Sequence, residues 1–238
     1  MGRWSRLVAP LLVDFTDLPD RCRVLDLGSG TGSLSCVIAE RKGRAGVLGI
    51  DPSQEYVTYA ESRNPFPDQV SFQVGDAQHL PFPDASFDAT LSLLAFNFIP
   101  DPKRALSEAR RITKPGGTIS AAVWDYGDGM RMLRTFWDAA KAESLDEKHM
   151  PLCRAGELAD LWRQGDLENV REEPLDITMQ FQSFEDYWDP FLLGQGPAGH
   201  YAASLDPHQL QTLRSELERT LSLTLPARAW AVRGNVKK

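Results

Sequence analysis

Residues 24–32 read Val-Leu-Asp-Leu-Gly-Ser-Gly-Thr-Gly, and this stretch limits the fold more than any other in the chain. Val24, Leu25 and Leu27 make a short apolar run of the kind buried in a central strand. Gly28, Gly30 and Gly32 follow, and then Leu34, Val37 and Ile38 in a helical pattern. A strand that turns through glycines into a helix leaves backbone N–H groups and a helix N-terminus facing open space. Glycine suits the turn because a side chain would hold a ligand away from the backbone. The stretch reads as a seat for a nucleoside-containing cofactor, with an ordinary glycine-rich turn as the competing reading.

Spacing narrows the cofactor. The dinucleotide fingerprint G-x-G-x-x-G places its last glycine one residue later. Here the pattern is Asp-x-Gly-x-Gly-x-Gly, with Asp26 at the strand end. A carboxylate there repels a pyrophosphate and suits a ligand carrying an ammonium and a sulfonium. Val47–Asp51 is a second apolar strand that ends in an acid, nineteen residues after Gly32. An acid at that distance is placed to accept from both ribose hydroxyls. It can also cap the next helix, with Pro52 in the first helical position. A third strand, 70–74, leads into Gly75-Asp76-Ala77. Asp76 is a candidate acceptor for an adenine amine and the Ala77 N–H a candidate donor to a ring nitrogen; a polar turn is the alternative.

Five segments in order (VLDLGSGTG, GID, GDAQHLPF, FDATLSLLAFNF and KPGGTI) over about residues 22–124 resemble the class I S-adenosylmethionine-dependent methyltransferases. Within these the chain is similar to the small-molecule branch, methyltransferase type 11, which includes the ubiquinone and menaquinone C-methyltransferases. The resemblance implies S-adenosylmethionine lying across the strand carboxyl ends of a Rossmann-like sheet. It implies Asp26 near the methionine amino end, Gly28, Ser29, Gly30 and Gly32 beside the ligand, Asp51 and Pro52 at the ribose, and Asp76 with Ala77 at the adenine. Leu94 and Phe96 complete the cofactor set, and Phe96 and Asn97 are expected to border the methyl group, where an aromatic face stabilises a cation. Family members usually carry more residues upstream, so the early first helix (Leu7, Val8, Leu11, Leu12) suggests a shortened N-terminal segment. Trp4 is expected to pack on the core.

The remaining elements continue the alternation. Residues 87–94 form a fourth strand. Asp101 and Pro102 start a helix with Ala105, Leu106, Ala109 and Ile112 on its apolar face. Pro115-Gly116-Gly117 ends it, and a fifth strand spans 118–124. Leu133, Phe136, Trp137 and Ala140 mark one further helix, and Leu158, Leu161 and Trp162 another. Strands are expected at 168–180 and 228–233. Between them lies an aromatic-rich stretch (Phe181, Phe184, Tyr187, Trp188, Phe191, Tyr201) and a helix begun by Asp206 and Pro207. The fold expected is α/β: a Rossmann-like, doubly wound, seven-stranded, mostly parallel sheet with helices on both faces and the last strand antiparallel. One domain, 1–238, would comprise a core of about 20–180 and 226–238 and a helical cap of about 181–225. The cap is read as covering the substrate, with Tyr187 and Trp188 as candidate contacts; peripheral packing or dimerisation is the alternative.

Composition sets limits on partners. Of 238 residues, 33 are acidic and 26 are Lys or Arg, a net charge of −7 that disfavours nucleic acid and anionic membranes. No run approaches the ~20 apolar residues of a membrane span. Cys22, Cys36 and Cys153 make no metal or disulfide pattern, which fits a reduced, cytoplasmic setting. No metal is expected, and a homodimer is allowed. His149, His200 and Asp125 are the candidate general bases, each with a structural role as the competing reading, and His79 is a weaker one. The function expected is methyl transfer to a small-molecule acceptor. A catalytically silent S-adenosylmethionine-binding partner or sensor and a nicotinamide-dependent oxidoreductase are the rivals.

Overall fold

The computed structural model describes residues 2–142 and 145–238. Apolar strands β1 (Arg23–Leu27), β2 (Gly46–Asp51), β4 (Phe87–Leu93) and the second half of β5 (Thr113–Trp124) are buried on both faces, as in the centre of a parallel sheet, while β3 (Val70–Val74), at the edge, buries only Val70 and Phe72. Strands β6 (Glu168–Gln180) and β7 (Thr224–Asn235) complete a seven-stranded sheet of order β3-β2-β1-β4-β5-β7-β6. β7 is antiparallel to both β5 and β6; the other pairings are parallel. Strand order reverses between β1 and β4, which puts the ligand-binding crevice at their carboxyl ends.

Helices cover both faces. On one lie α1 (Gly2–Thr16), α2 (Ser33–Arg41), α3 (Gln54–Ser62) and α5 (Arg131–Ala140), joined by α7 (Phe184–Leu192), α8 (Gly196–Ser204) and α9 (Pro207–Thr220). On the other lie α4 (Pro102–Ile112) and α6 (Glu157–Gln164). Asp101 caps α4, its Oδ1 accepting from the Arg104 N–H at 2.9 Å. Trp4 is buried edge-on against Phe181, with ring centroids 5.3 Å apart, so α1 is pinned to the same core as the aromatic insertion.

Two boundaries differ from the sequence expectation. β5 begins at Thr113 rather than 118 and contains the Pro-Gly-Gly read as a terminator. The ladder to β4 jumps from Phe87↔Thr113 to Ala89↔Thr118, and the bulged residues are held by C-terminal backbone: Gly116 N–H donates to Val236 O at 2.8 Å. Gly117 fits because any Cβ would stand 2.6 Å from Asp88 O. β7 extends beyond 228–233 because it pairs with two strands along its length.

One ion pair organises the loop after β3. Arg111 donates from Nη1 to Phe82 O (2.7 Å) and Asp84 (2.8 Å), and from Nη2 to Leu80 O (3.0 Å). It also forks onto Glu108, whose carboxylate takes the Leu80 N–H at 2.9 Å and is held down at about 2 by the guanidinium. Arg111→Ala is expected to cost about 2–3 kcal/mol, read as a lower urea midpoint, because it leaves Glu108 and the Leu80 and Phe82 carbonyls short of partners. As Glu108 titrates low, its share of stability is present above its ordinary 4.5 and is lost as pH falls towards 2.

Candidate functional site

The glycine turn is built on positive backbone angles: φ is +75° at Gly28, +52° at Gly30 and +81° at Gly32. The N–H groups of Gly28, Ser29 and Gly30 do not face open space, contrary to the sequence expectation. Gly28 and Ser29 both donate to Ile50 O, at 2.8 and 3.0 Å, and Gly30 donates to Asp51 Oδ2 at 2.9 Å. The end of β2 thus consumes the donors that a phosphate would need. At the N-terminus of α2 the Ser35 N–H is taken as well. Asp26 Oδ2 accepts from the Ser35 N–H (3.0 Å) and the Ser35 hydroxyl (2.6 Å), so the chain's own carboxylate sits where an anion would bind. Ser35 carried no signal in the sequence, being one polar residue in an apolar helix start.

Asp26 is fully buried. Burial pushes its carboxyl up to about 7, against the lowering effect of the Ser35 hydrogen bonds and with the nearby Asp51 adding to the rise. Its Oδ1 has no partner, nor has the buried Ser29 hydroxyl or either amide atom of Asn97. These are four of the eight buried side-chain polar atoms left without partners among the described residues, and all lie at the carboxyl ends of β1 and β4. A buried carboxylate oxygen with no donor is costly alone and suited to a cation.

Asp51 is buried, its Oδ1 accepting from Ser53 N–H at 2.9 Å. Ser53, not Asp51, caps α3, so Pro52 precedes the cap and does not occupy the first helical position. Asp76 lies at the end of β3, half-exposed, accepting from Gln78 N–H at 2.9 Å and facing His79 Nδ1 at 3.3 Å. The Gln78 donors keep its carboxyl below the usual range. Ala77 packs on the α4 face, and His79 is exposed.

Past β4, Leu94 takes φ +60° and donates to Ala122 O at 2.7 Å. Ala95 then packs on Gly28 so closely that a Cβ there would be 2.4 Å from the Ala95 Cβ. Phe96 departs from expectation: its ring is buried in the opposite core, edge-on to Trp162 with centroids 5.1 Å apart. Asn97 remains with its amide unpartnered. Tyr187 and Trp188, on α7, are buried in the core, and the Tyr187 hydroxyl donates to Met132 O at 3.0 Å. Asp125, just after β5, is buried and accepts from Asp128 N–H at 3.1 Å in a tight turn. His149 and His200 are exposed.

The comparisons with known proteins agree with this geometry. Residues 25–121 match the family described as methyltransferase domain. The chain is 36% identical over 121 residues to a 2-methyl-6-phytyl-1,4-hydroquinone methyltransferase of Synechocystis sp., covering 51% of this chain and 38% of that one. It is 36% identical over 124 residues to a demethylmenaquinone methyltransferase of Paenarthrobacter aurescens, covering 52% and 46%. Over residues 25–121 the chain carries a match to the methyltransferase domain and resembles the class I S-adenosylmethionine-dependent methyltransferases. It spans less than half the length of these two relatives. A solved methyltransferase structure from the antibiotic biosynthesis pathway of Anabaena variabilis superposes with a TM-score of 0.69 at 18% identity, over 96% of this chain and 98% of that one, which shows the shared fold. S-adenosylmethionine is the cofactor, and the donor set fits it: an unpartnered buried carboxylate for its cationic end, with the Gly28, Ser29 and Gly30 N–H groups already engaged by β2. No helix among the described residues is long and apolar enough to cross a membrane.

Proposed function

We propose that the protein transfers a methyl group from S-adenosylmethionine to a small aromatic or apolar acceptor of the hydroquinone kind. The observation that carries the cofactor half of this reading is Asp26, buried with one oxygen on α2 and the other unpartnered. The acceptor half is supported by the two quinone-pathway relatives and by the aromatic insertion at 181–205.

When bound, S-adenosylmethionine supplies a methyl group already made electrophilic by its sulfonium. The protein's task is therefore orientation, which contributes roughly 7–11 kcal/mol in favourable cases. Asp26 and Ser29 would hold the methionine end, Asp51 the ribose, and Asp76 with Ala77 the adenine. The acceptor gives up a proton as the bond to carbon forms. Of the three candidate bases, Asp125 alone is buried at a central strand's carboxyl end, although the turn to Asp128 already uses one of its oxygens.

Calorimetric titration with S-adenosylmethionine and NAD in parallel, followed by transfer of labelled methyl to a hydroquinone panel, tests the proposal. Micromolar binding of S-adenosylmethionine alone with label in a hydroquinone supports it. Binding of NAD alone would restore the oxidoreductase, and tight binding of S-adenosylmethionine without transfer to any acceptor in cell extract would make the protein a silent partner or sensor.

A further inference from the structure

We propose that Asn97 is the acceptor-orienting residue of this site, and that its amide selects a neutral acceptor bearing a second hydroxyl, besides the one at the reacting end, that both donates and accepts a hydrogen bond. The inference rests on the methyl-transfer reading above and adds the chemistry of the second substrate.

Asn97 sits in the single 3-10 turn Phe96–Phe98 directly after β4. The turn's backbone is fully engaged: Phe98 N–H donates to Ala95 O at 2.9 Å and Ile99 N–H to Phe96 O at 3.3 Å. Its neighbours are committed in opposite senses. Phe96 is buried against Trp162, and Phe98 is 59% exposed. Asn97 is 6% exposed, and neither Nδ2 nor Oδ1 has a partner. An amide buried with donor and acceptor both idle carries a desolvation penalty that a packing position would shed by being Leu. The turn is also fixed against the cofactor loop, because Ala95, two residues earlier, packs on Gly28.

Polarity and charge identify what the amide meets. Asp26 and Ser29 supply the unpartnered groups on the β1 side, which the cofactor would use; on the β4 side they are the Ser92 hydroxyl within the strand and the Asn97 amide beyond it. An amide that offers one donor and one acceptor matches a hydroxyl that does the same. Charge selects a neutral molecule. The acids buried at the strand ends are Asp26, Asp51 and Asp125, and the buried Arg134 is spent on a bidentate pair with Asp146, leaving no described buried cation for an anionic acceptor.

The test compares methylhydroquinone with a cresol, which lacks the second hydroxyl, in the native protein and in Asn97→Leu. Calorimetry with S-adenosylmethionine and thermal melting run alongside. The native protein should favour methylhydroquinone in kcat/KM by about 10- to 100-fold, and Asn97→Leu should bring that ratio close to one. Cofactor affinity should change by less than about threefold and Tm should rise, since a buried orphan amide is replaced by an apolar side chain of similar size. An unchanged ratio in Asn97→Leu overturns the proposal, as does an equal loss of cofactor binding, which would place Asn97 on the cofactor. If the native protein methylates neither compound, the hydroquinone reading fails by itself. The melting arm then decides for Asn97: a lower Tm in Asn97→Leu means the amide has partners inside the fold and ends the proposal, and a higher Tm keeps it as a group held for a ligand.

Discussion

Gly28→Ala is expected to remove about 2–5 kcal/mol of stability and to abolish S-adenosylmethionine binding. Two costs add. The backbone at φ +75° disfavours any residue with a Cβ, by about 1–2 kcal/mol. The new methyl would stand 2.4 Å from the Ala95 Cβ, and Ala95 is held by the turn that follows β4, so relief requires backbone movement costing about 1–3 kcal/mol. Ala95→Gly in the same chain should restore the steric part and leave the conformational part. Gly30→Ala is the informative contrast. Its φ of +52° carries a similar conformational cost, but nothing lies within 4 Å of the added Cβ. That variant should fold, with Tm lowered by a few degrees, and lose cofactor affinity at least about tenfold if the ligand lies on the loop. Melting curves and calorimetry on the three variants and the native protein separate fold from site. A Gly30→Ala protein that binds S-adenosylmethionine as well as the native one would show that this part of the loop does not approach the ligand.

The contrast also explains what was legible in the sequence. Strands β1 to β4 and the helix begun by Asp101 and Pro102 were readable because apolar runs bounded by Gly, Pro and Asp leave few other folds open. The acids at strand ends followed from spacing, and the doubly wound sheet was what the family resemblance implied. The direction of the loop's N–H groups did not, because it depends on Ile50 O and Asp51 reaching across from another strand. The same holds for Phe96. An aromatic residue after a strand end has two faces of the sheet to choose from, and only Trp162, sixty-six residues later, draws it into the far core. The bulge at Pro115-Gly116-Gly117 was misread as a stop because the strand that stabilises it is the C-terminal one. Local pattern gave the elements, and long-range hydrogen bonds decided which groups remain for a ligand.

S-adenosylmethionine should bind more tightly as pH rises, by roughly tenfold between pH 6 and 8, and Asp26→Asn should lose that dependence together with about two orders of magnitude of affinity. In the unliganded fold burial raises the Asp26 carboxyl from 3.8 to about 7. A cation placed against Oδ1 favours the ionised form, so binding expels the proton that Asp26 holds below about pH 7. Stability of the unliganded protein must then run the other way. Between 3.8 and about 7 the folded state binds a proton that the unfolded chain has released. The contribution is complete below 3.8, declines as pH rises through that window and is flat above about 7. Each tenfold change in proton affinity is ~1.4 kcal/mol, so ionising Asp26 inside the empty fold costs on the order of 4 kcal/mol. Glu147, also raised by burial, adds a decline of the same sign. The difference between native and Asp26→Asn stability across pH 4 to 8 isolates Asp26 from it. The variant's amide oxygen can still accept from Ser35, so α2 keeps its cap while the charge is gone. Calorimetry in buffers of different ionisation enthalpy counts the protons released at pH 6.5. Release of none by the native protein, with pH-independent affinity, would mean that the ligand's cationic end does not meet Asp26.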